Sequence, residues 1–352
     1  MGLETIHWYL REKCDAKPRC AYCFGPMETC KASDDRDVEM ARVIAGGGVS
    51  KVVLTGGEPL LARSITKVAQ VLKEGGVSVS IHTHGPVDGA ILESWRGIVD
   101  DVALPIDSTD SDIQSRLRSP QFVEQVSTRI DEQIGIIRRY DINVGLHTVF
   151  TSLNFKEIPG MCRRLCRLPF SYWRIYEYNE DLARMRWLKS KKLGSEKQIA
   201  GYLMSEELAM PGDPRIGQTD GLEAEFLLME PRIRDPRVQF VPRDSRGTYC
   251  FLRPNGDFVY YKSHSTDRRI EFANLFKDGL PKVREKWQEV VAEPSDNKYS
   301  STFFEREWER PLWLMQYLGC CWFEEIDDID GRSWPKIVRL ERLWRIKHGE
   351  KV

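Results

Sequence analysis

The sequence lacks the features typical of membrane, secreted and nucleic-acid-binding proteins. None of its 352 residues belongs to an uncharged apolar run of about 18 residues, the length that spans a bilayer. Residues 1–7 contain no basic region followed by an apolar core, so no signal peptide is indicated. Lys and Arg total 52 against 53 Asp and Glu, and a net charge of −1 provides no basic field for a polyanion. We therefore expect a cytoplasmic protein whose partners include neither a membrane nor a nucleic acid polymer.

A disulfide framework and low-complexity tracts are also missing. The nine cysteines are an odd number, unevenly clustered and without a secretory context. Such cysteines are more typical of metal or redox chemistry than of disulfide-stabilised domains. No internal repeat is present beyond an alternation of strand-like and helical patterns.

That alternation is the main structural signal, and it covers residues 1–180. The predicted strands are Glu4–Leu10, Lys51–Thr55, Ser78–Thr83, Asp101–Ile106, Asn143–Val149 and Tyr172–Tyr178. The predicted helices between them are Asp35–Ala45, Ser64–Glu74, Asp88–Gly97, Phe122–Tyr140 and Phe155–Cys166. Strands that alternate with helices indicate repeated βα units and a parallel sheet. We therefore predict an α/β fold, a partial (β/α)6 TIM-type barrel, with a β-hairpin and a helical C-terminal extension.

The alternation stops after Tyr178, and a different composition follows. Arg184–Lys197 is strongly basic, and Met210–Asp220 is rich in proline and glycine. A basic run is usually a solvated face, and a Pro/Gly cluster usually marks a loop. We predict a barrel core over residues 1–180 and a helical insertion with a connecting segment over residues 181–247.

The last predicted segment, residues 248–352, opens with a hairpin. Asn255-Gly256 is flanked by apolar and aromatic runs, and this is the strongest short-range hairpin signal in the chain. Many tryptophans follow among charged residues, from Trp287 to Trp344, without a strand pattern. Aromatic residues at this density usually serve burial. They predict a small helical extension packed on the barrel.

Three cysteines lie close together directly after the first predicted strand, at Cys14, Cys20 and Cys23. Barrel folds place their active sites at the carboxyl ends of strands, where this loop lies. Three thiolates can ligate three corners of an iron–sulfur cubane and leave one iron open for chemistry. A structural zinc site is the competing interpretation, but no fourth Cys or His lies at zinc-finger spacing.

The second predicted strand delivers the motif Gly56-Gly57-Glu58-Pro59 to the same rim. Glycines allow a ligand to approach the backbone closely, and proline restricts the turn. The Glu58 carboxylate can bind an ammonium group. A metal cluster and an amine-binding loop are therefore predicted to face one cavity.

In this order the two motifs resemble the radical S-adenosylmethionine (radical SAM) superfamily. The resemblance implies a [4Fe–4S] cluster held by the three cysteines, and SAM as a second cofactor whose methionyl group lies against the Gly-Gly-Glu-Pro motif. It implies an enzyme that cleaves SAM reductively to a 5′-deoxyadenosyl radical, which abstracts hydrogen from a substrate. It also implies an electron donor such as flavodoxin or ferredoxin.

The cysteine loop departs from the usual family pattern in its length. Five residues separate Cys14 from Cys20, more than in the usual loop. Cys30 is therefore an alternative ligand in place of Cys14. We favour Cys14 because it follows the first strand directly, and because Tyr22 takes the aromatic place that the family keeps before its last cysteine, near the adenine.

The resemblance implies further SAM contacts at later strand ends. Thr83 falls where family members use a small hydroxyl or Asn near SAM. Asp107 and Ser108, after the fourth strand, would face the ribose or the carboxylate. Tyr176, on the sixth strand, would lie near the adenine.

The substrate is the least determined feature. Tyr22-Cys23-Phe24, Arg174–Glu177 and Tyr249–Tyr261 resemble viperin-like members, which dehydrate CTP. Pro105 and His147-Thr148 differ from the pattern of those enzymes. We expect a small-molecule substrate, either a nucleotide or a natural-product intermediate.

Two alternatives stay open beside this prediction. Cys250 begins a Cys-x-x-x-Pro-x-Gly hairpin like that of peptide-modifying members with extra clusters, but only Cys320-Cys321 follow it. The first alternative is therefore a peptide-modifying enzyme without auxiliary clusters. The second is a non-catalytic iron–sulfur or zinc protein that kept the fold.

Several other cysteines and histidines could be either functional or structural residues. Cys162 and Cys166 lie at i and i+4 of a predicted helix, and we interpret them as buried thiols rather than ligands. His82 and His84 alternate on one strand and would face the same side. They, and His147, are either cavity residues that contact substrate or structural histidines at strand ends.

Overall fold

The computed structural model of the protein describes residues 3–23, 30–125, 129–178, 235–241, 249–261 and 269–292, with Ile216, Leu222, Phe226, Met229 and Ile233. The predictions for Arg184–Lys197, for Met210–Asp220 apart from Ile216, for Trp308 to Trp344 and for Cys320-Cys321 lie outside the described residues. The chain divides into two compact units, residues 1–219 with 236–293, and residues 220–235 with 294–352. The elements below all belong to the first unit. The predicted division at residues 180 and 247 stays a prediction.

One mixed sheet organises this unit. Its strands are β1 Thr5–Arg11, β2 Lys51–Gly56, β3 Ser78–His82, β4 Asp101–Pro105, β5 Asn143–Phe150, β6 Tyr172–Glu177, β7 Val238–Val241, β8 Phe251–Leu252, β9 Asp257–Tyr261 and β10 Arg269–Asn274. The described helices are α1 Asp34–Ala45, α2 Ile65–Glu74, α3 Gly89–Trp95, α4 Ser111–Leu117, α5 Pro120–Gln125, α6 Ile130–Arg138, α7 Ile158–Leu165 and α8 Leu275–Ala292. None of these helices is long and apolar enough to cross a bilayer.

The strand order is β10-β9-β8-β1-β2-β3-β4-β5-β6-β7. Neighbouring strands are parallel from β8 through β1 to β7, and antiparallel between β8, β9 and β10. Rings from the alternate strands β1, β3 and β5 approach one another on the inner face, as in a curved sheet. The predicted partial (β/α)6 barrel is confirmed, and the bounds of β1–β6 agree with the predicted strands to within one residue.

The hydrophobic core lies between this sheet and its helices. Alternate strand residues such as Ile6, Trp8 and Leu10 are completely buried on the outer face. Each such side chain contributes about 1.5–3 kcal/mol by its removal from water. This packing holds the strand ends, and the loops that follow them, in fixed positions.

Helix α4 and strands β7 and β10 were not predicted. Helix α4 begins after Asp110, whose carboxylate accepts hydrogen bonds from the amides of Asp112 and Ile113, a cap signal that the sequence does contain. Strand β7 is a short apolar run that pairs with β6 over four residues. A run of four residues is too short to show the two-residue hydrophobic period of a strand. It is a strand because its backbone pairs with β6.

The predicted hairpin is confirmed by the pairing of β8 with β9. Its turn residue Gly256 has φ +89°, a conformation that L side chains rarely adopt. Strand β8 also pairs with β1, so the hairpin extends the barrel sheet. The following helix α8 is interrupted at Gly279, and its Trp287 packs against Phe272 at a ring distance of 5.5 Å.

Candidate active site

The cysteine loop begins where β1 ends, and the Gly-Gly-Glu motif after β2 holds its backbone. The Gly57 amide donates to the Arg11 carbonyl at 2.7 Å, and the Glu58 amide donates to the Lys13 carbonyl at 3.0 Å. A Cβ on Gly57 would lie 2.3 Å from the Lys13 carbonyl oxygen, and one on Gly56 would lie 2.1 Å from that of Arg11. The two glycines therefore admit the backbone that leads into Cys14.

The three predicted ligands share one neighbourhood. The Cys23 amide donates to the Cys20 carbonyl at 3.1 Å, and the Ala21 amide donates to Leu117 at 2.9 Å. Burial raises the pKa of Cys20 to about 11 despite the nearby Arg118, and the neighbouring Cys23 and Cys14 thiols contribute to the rise. Thiolates that lie close together repel one another, and a bound metal offsets this repulsion because it binds thiols in their deprotonated form.

His84 joins this cluster from the end of β3. Its Nε2 lies 2.8 Å from Asp15 Oδ1 and 3.3 Å from Glu58 Oε2. Burial lowers the pKa of His84, but a hydrogen bond with Cys14 and the nearby Glu58 raise it to about 9. The ligand atoms of Cys14, Asp15 and His84 all lie within 4.8 Å of one another. His84 therefore lies at the candidate site. Its position just after a predicted strand was the feature of the sequence that pointed to it.

Glu58 is buried at the centre of the rim. Its Oε1 accepts hydrogen bonds from the Leu60 amide at 2.9 Å and the Thr83 hydroxyl at 2.7 Å. Its Oε2 accepts a hydrogen bond from the His84 amide at 2.9 Å. With His84 Nε2 3.3 Å from Oε2 as well, the Glu58 carboxylate is held in one orientation at the rim. Pro59 begins the 3-10 turn that follows.

Asp107 ties the cysteine loop to the barrel. One carboxylate oxygen accepts hydrogen bonds from the Tyr22 hydroxyl and, at 2.6 Å, from Arg118 Nε. The other oxygen accepts from the Val149 amide at 2.9 Å. The Arg118 guanidinium also lies 4.7 Å from the Phe122 ring centre. Arg118 was not singled out in the sequence, since no local pattern links it to a loop about 100 residues earlier.

Ser108 is likewise enclosed by protein groups. Its hydroxyl donates to Glu157, and its amide donates to Gln114 Oε1 at 2.7 Å. The Asp107 amide donates to the same oxygen at 3.1 Å. The structure thus places Asp107 and Ser108 beside the cysteine loop, and their contact with SAM stays a prediction.

Tyr176 lies inside the barrel, apart from the rim residues. Its ring is 5.2 Å from that of His147, and its hydroxyl forms hydrogen bonds with Arg174 and Tyr249. Burial raises its pKa, with further contributions from Tyr249. The predicted contact of Tyr176 with adenine stays a prediction.

The remaining cysteines have separate environments. Cys30 donates from its amide and its thiol to Glu12 Oε2, at 2.7 and 3.3 Å, and Arg253 Nε donates to Glu12 Oε1 at 2.6 Å. The Sγ atoms of Cys162 and Cys166 lie 3.3 Å apart on α7. Cys30 is thus engaged by a buried ion pair, whereas Cys14 contacts His84.

Residues 12–165 match the family model described as "Radical SAM superfamily". An S-adenosylmethionine-dependent nucleotide dehydratase of Lacinutrix mariniflava is 25% identical over 166 residues, which cover 44% of this chain and 34% of the relative. A GTP 3′,8-cyclase of Chlorobaculum tepidum is 30% identical over 149 residues, 40% of this chain and 44% of the relative. The chain spans less than half of either relative.

Two solved structures share the fold. The anSMEcpe structure with bound AdoMet and the Kp18Cys peptide has a TM-score of 0.57 at 13% identity, covering 81% of this chain and 82% of that one. Streptococcus suis SuiB bound to S-adenosylmethionine has a TM-score of 0.55 at 13% identity, covering 84% and 67%. At 13% identity, these two similarities support a shared fold only.

Proposed function

We propose that the chain is an enzyme that applies radical SAM chemistry to a small-molecule substrate, since residues 12–165 match the family model of the radical SAM superfamily. The observation that carries the proposal is the loop with three cysteines directly after β1, whose backbone the Gly-Gly-Glu motif holds. This loop is held by backbone hydrogen bonds from Gly57 and Glu58 and by the buried Asp107.

The residues present fit the cofactors that the family uses. Cys14, Cys20 and Cys23 would hold the [4Fe–4S] cluster, since three thiols in one loop match its ligand set. The buried Glu58 carboxylate, held by Leu60, Thr83 and His84, would bind the methionyl amine of SAM. Further proposed SAM contacts are Gly56, Gly57, Pro59, Thr83, Tyr22, Asp107, Ser108 and Tyr176.

When bound, the reduced cluster would supply one electron to SAM, and the reductive cleavage of SAM would provide the radical that removes hydrogen from the substrate. The chain's own residues would position the reactants. Glu58 is fixed by Thr83 and His84, so it would meet an ammonium group without reorganising. Holding reactants in a fixed geometry accelerates a reaction because the entropy cost of bringing them together is met on binding.

The proposed substrate class is a nucleotide or a similarly polar metabolite. Two relatives are named for reactions of nucleotides, and the barrel interior presents His, Tyr and Arg side chains. Radical SAM enzymes take electrons from a donor, for which we propose flavodoxin or ferredoxin. We propose the cytoplasm as the location, since reduced thiols persist there.

The enzyme activity is tested by anaerobic cluster reconstitution, reduction with dithionite and addition of SAM. We expect 5′-deoxyadenosine from the wild-type chain and from Cys162→Ala, whose thiol lies outside the loop, but none from Cys20→Ala. If the wild-type chain forms no more 5′-deoxyadenosine than Cys20→Ala does, the proposal is wrong and a non-catalytic metal protein is favoured.

The substrate class is tested in the same assay with nucleotides, a metabolite extract and a mixture of peptides. We expect a nucleotide or a metabolite fraction to increase the yield of 5′-deoxyadenosine. An increase with peptides alone would favour the peptide-modifying alternative.

A further inference from the structure

The interior of the barrel contains a pair of side chains that the cofactors do not use. His147 on β5 and Arg174 on β6 are register neighbours. The residues on either side of each are completely buried on the outer face of the sheet. Because successive side chains of a strand point to opposite faces, His147 and Arg174 project into the barrel interior.

Two further imidazoles lie beside His147. The His82 ring is 4.5 Å from the ring of His147, and the His7 ring is 6.4 Å from that of His82. Burial lowers the pKa of all three histidines, and Arg174 lowers it further. Lys51 also lowers the pKa of His7 and His82. The three histidines are neutral at neutral pH, so each imidazole presents one donor and one acceptor.

Arg174 is the interior cation without an anionic partner among the described residues. Its Nε donates to Gln239 Oε1 at 3.3 Å, its guanidinium lies 4.9 Å from the Tyr172 ring centre, and it forms a hydrogen bond with Tyr176. Lys51, by contrast, pairs with Asp101 at 3.0 Å. A partly buried charge is costly unless it is paired, so this guanidinium favours an incoming anion.

His147 supplies a second, independent indication of a ligand. In the part of the chain that the structure describes, its buried Nε2 has no hydrogen-bond partner. Buried polar atoms in native proteins are nearly always satisfied, and a bound group would satisfy this one. The open nitrogen and the unpaired guanidinium belong to neighbouring strands.

The position of this pair suits a substrate. His82, the last residue of β3, contacts His147, and His84, two residues further along the chain, contacts Cys14. A small molecule held there would lie beneath the cofactors.

We propose that Arg174 and His147 form the substrate-binding subsite of the barrel, in which Arg174 binds an oxyanion of the substrate and His147 Nε2 forms a hydrogen bond with the same molecule. The inference rests on the proposed function, because it assigns that enzyme's substrate an anionic group. The oxyanion is a phosphate or a carboxylate, since a guanidinium pairs with both in the same bidentate geometry.

The test is calorimetric titration of the full chain, reconstituted anaerobically and saturated with SAM. The probes are CTP, inorganic triphosphate, citrate and cytidine, which carries no anion. We expect saturable binding of the phosphate probes or of citrate, and much weaker binding of cytidine. The probe that binds identifies the oxyanion, whereas no saturable binding of any charged probe to the wild-type chain would overturn the inference.

Variants locate the binding. Arg174→Gln should weaken binding of the charged probe by about 10- to 100-fold, and Arg174→Lys should recover it only in part because lysine lacks the planar fork. His147→Gln should bind more tightly than His147→Phe. Arg96→Gln, at an exposed arginine paired with Glu93, is the matched control and should bind as the wild-type chain does.

Equal binding by the wild-type chain, Arg174→Gln and His147→Phe would refute the subsite. Iron content and SAM binding of each variant check that it is folded. A wild-type chain that binds the anion but forms no 5′-deoxyadenosine would refute the proposed function and leave the subsite standing. One that forms 5′-deoxyadenosine but binds no anion would refute the subsite alone.

Discussion

Gly57 shows how closely the site is packed at the scale of single residues. Its missing side chain leaves room for the carbonyl of Lys13, which accepts the next amide along the chain. The close contact is between two backbone segments. The glycines of this motif therefore determine where the cysteine loop starts.

Gly57→Ala tests this role. The new methyl group would lie 2.3 Å from the Lys13 oxygen, so the loop must move at a cost of about 1–3 kcal/mol. We expect a lower iron content after reconstitution and a lower melting temperature. Gly135→Ala, on α6 with no atom within 4 Å of its added Cβ, should keep both, and an unchanged Gly57→Ala would show that the loop adapts.

The choice between Cys14 and Cys30 is also decided by single residues. Cys14→Ala should abolish cluster incorporation, whereas Cys30→Ala should keep it, because the Cys30 thiol is engaged by Glu12. Iron and sulfide content after reconstitution, with the absorbance of the cluster, measures both. The reverse outcome would make Cys30 the ligand.

At the scale of elements, the cysteine loop, β4 and α4 are joined by one buried carboxylate. Asp107 after β4 accepts hydrogen bonds from Tyr22 in the loop and from Arg118 at the end of α4. A buried ion pair adds little net stability, but the loss of one partner is costly. These contacts hold the last two cysteines against the barrel.

Arg118→Met should destabilise the protein by about 3–5 kcal/mol, because it leaves the Asp107 charge buried without its cation. Chemical denaturation monitored by circular dichroism measures the loss. Arg129→Met is the control, because Arg129 forms an exposed i,i+3 pair with Glu132 and its loss should cost less than about 1 kcal/mol. Equal stabilities of the two variants would contradict the role of Asp107.

At the scale of the whole molecule, the C-terminal hairpin completes the region around the cysteine loop. Strand β8 pairs with β1, and Arg253 in the hairpin turn donates two hydrogen bonds to Glu12, 241 residues earlier in the chain. Glu12 in turn holds the amide and thiol of Cys30. The two ends of this unit are thus connected beside the candidate site.

Arg253→Met should lower the free energy of unfolding by about 3–5 kcal/mol, since Glu12 would stay buried and unpaired. The double variant with Glu12→Gln should recover part of that loss, because no buried charge remains. Denaturant unfolding of both variants gives the comparison. A double variant that is less stable than Arg253→Met would mean that the hydrogen bonds of Glu12, rather than its charge, dominate.

Local pattern was sufficient for much of the protein. The βα alternation predicted six strands to within one residue and the barrel, because strand and helix periods are visible within a few residues. Asn255-Gly256 predicted the hairpin, since its turn needs a residue with positive φ. The spacing and order of the cysteines and the Gly-Gly-Glu-Pro motif indicated the family that residues 12–165 match.

Tertiary structure alone decided which distant groups meet. Arg118 with Asp107, Arg253 with Glu12, and the interior pair of His147 and Arg174 depend on strand register and helix packing. The hydrophobic period of a strand or helix does not identify such partners, because the two residues of each pair lie on separate elements. The sequence by itself determined the strands and the thiol set, whereas the sheet's curvature and register decided what surrounds them.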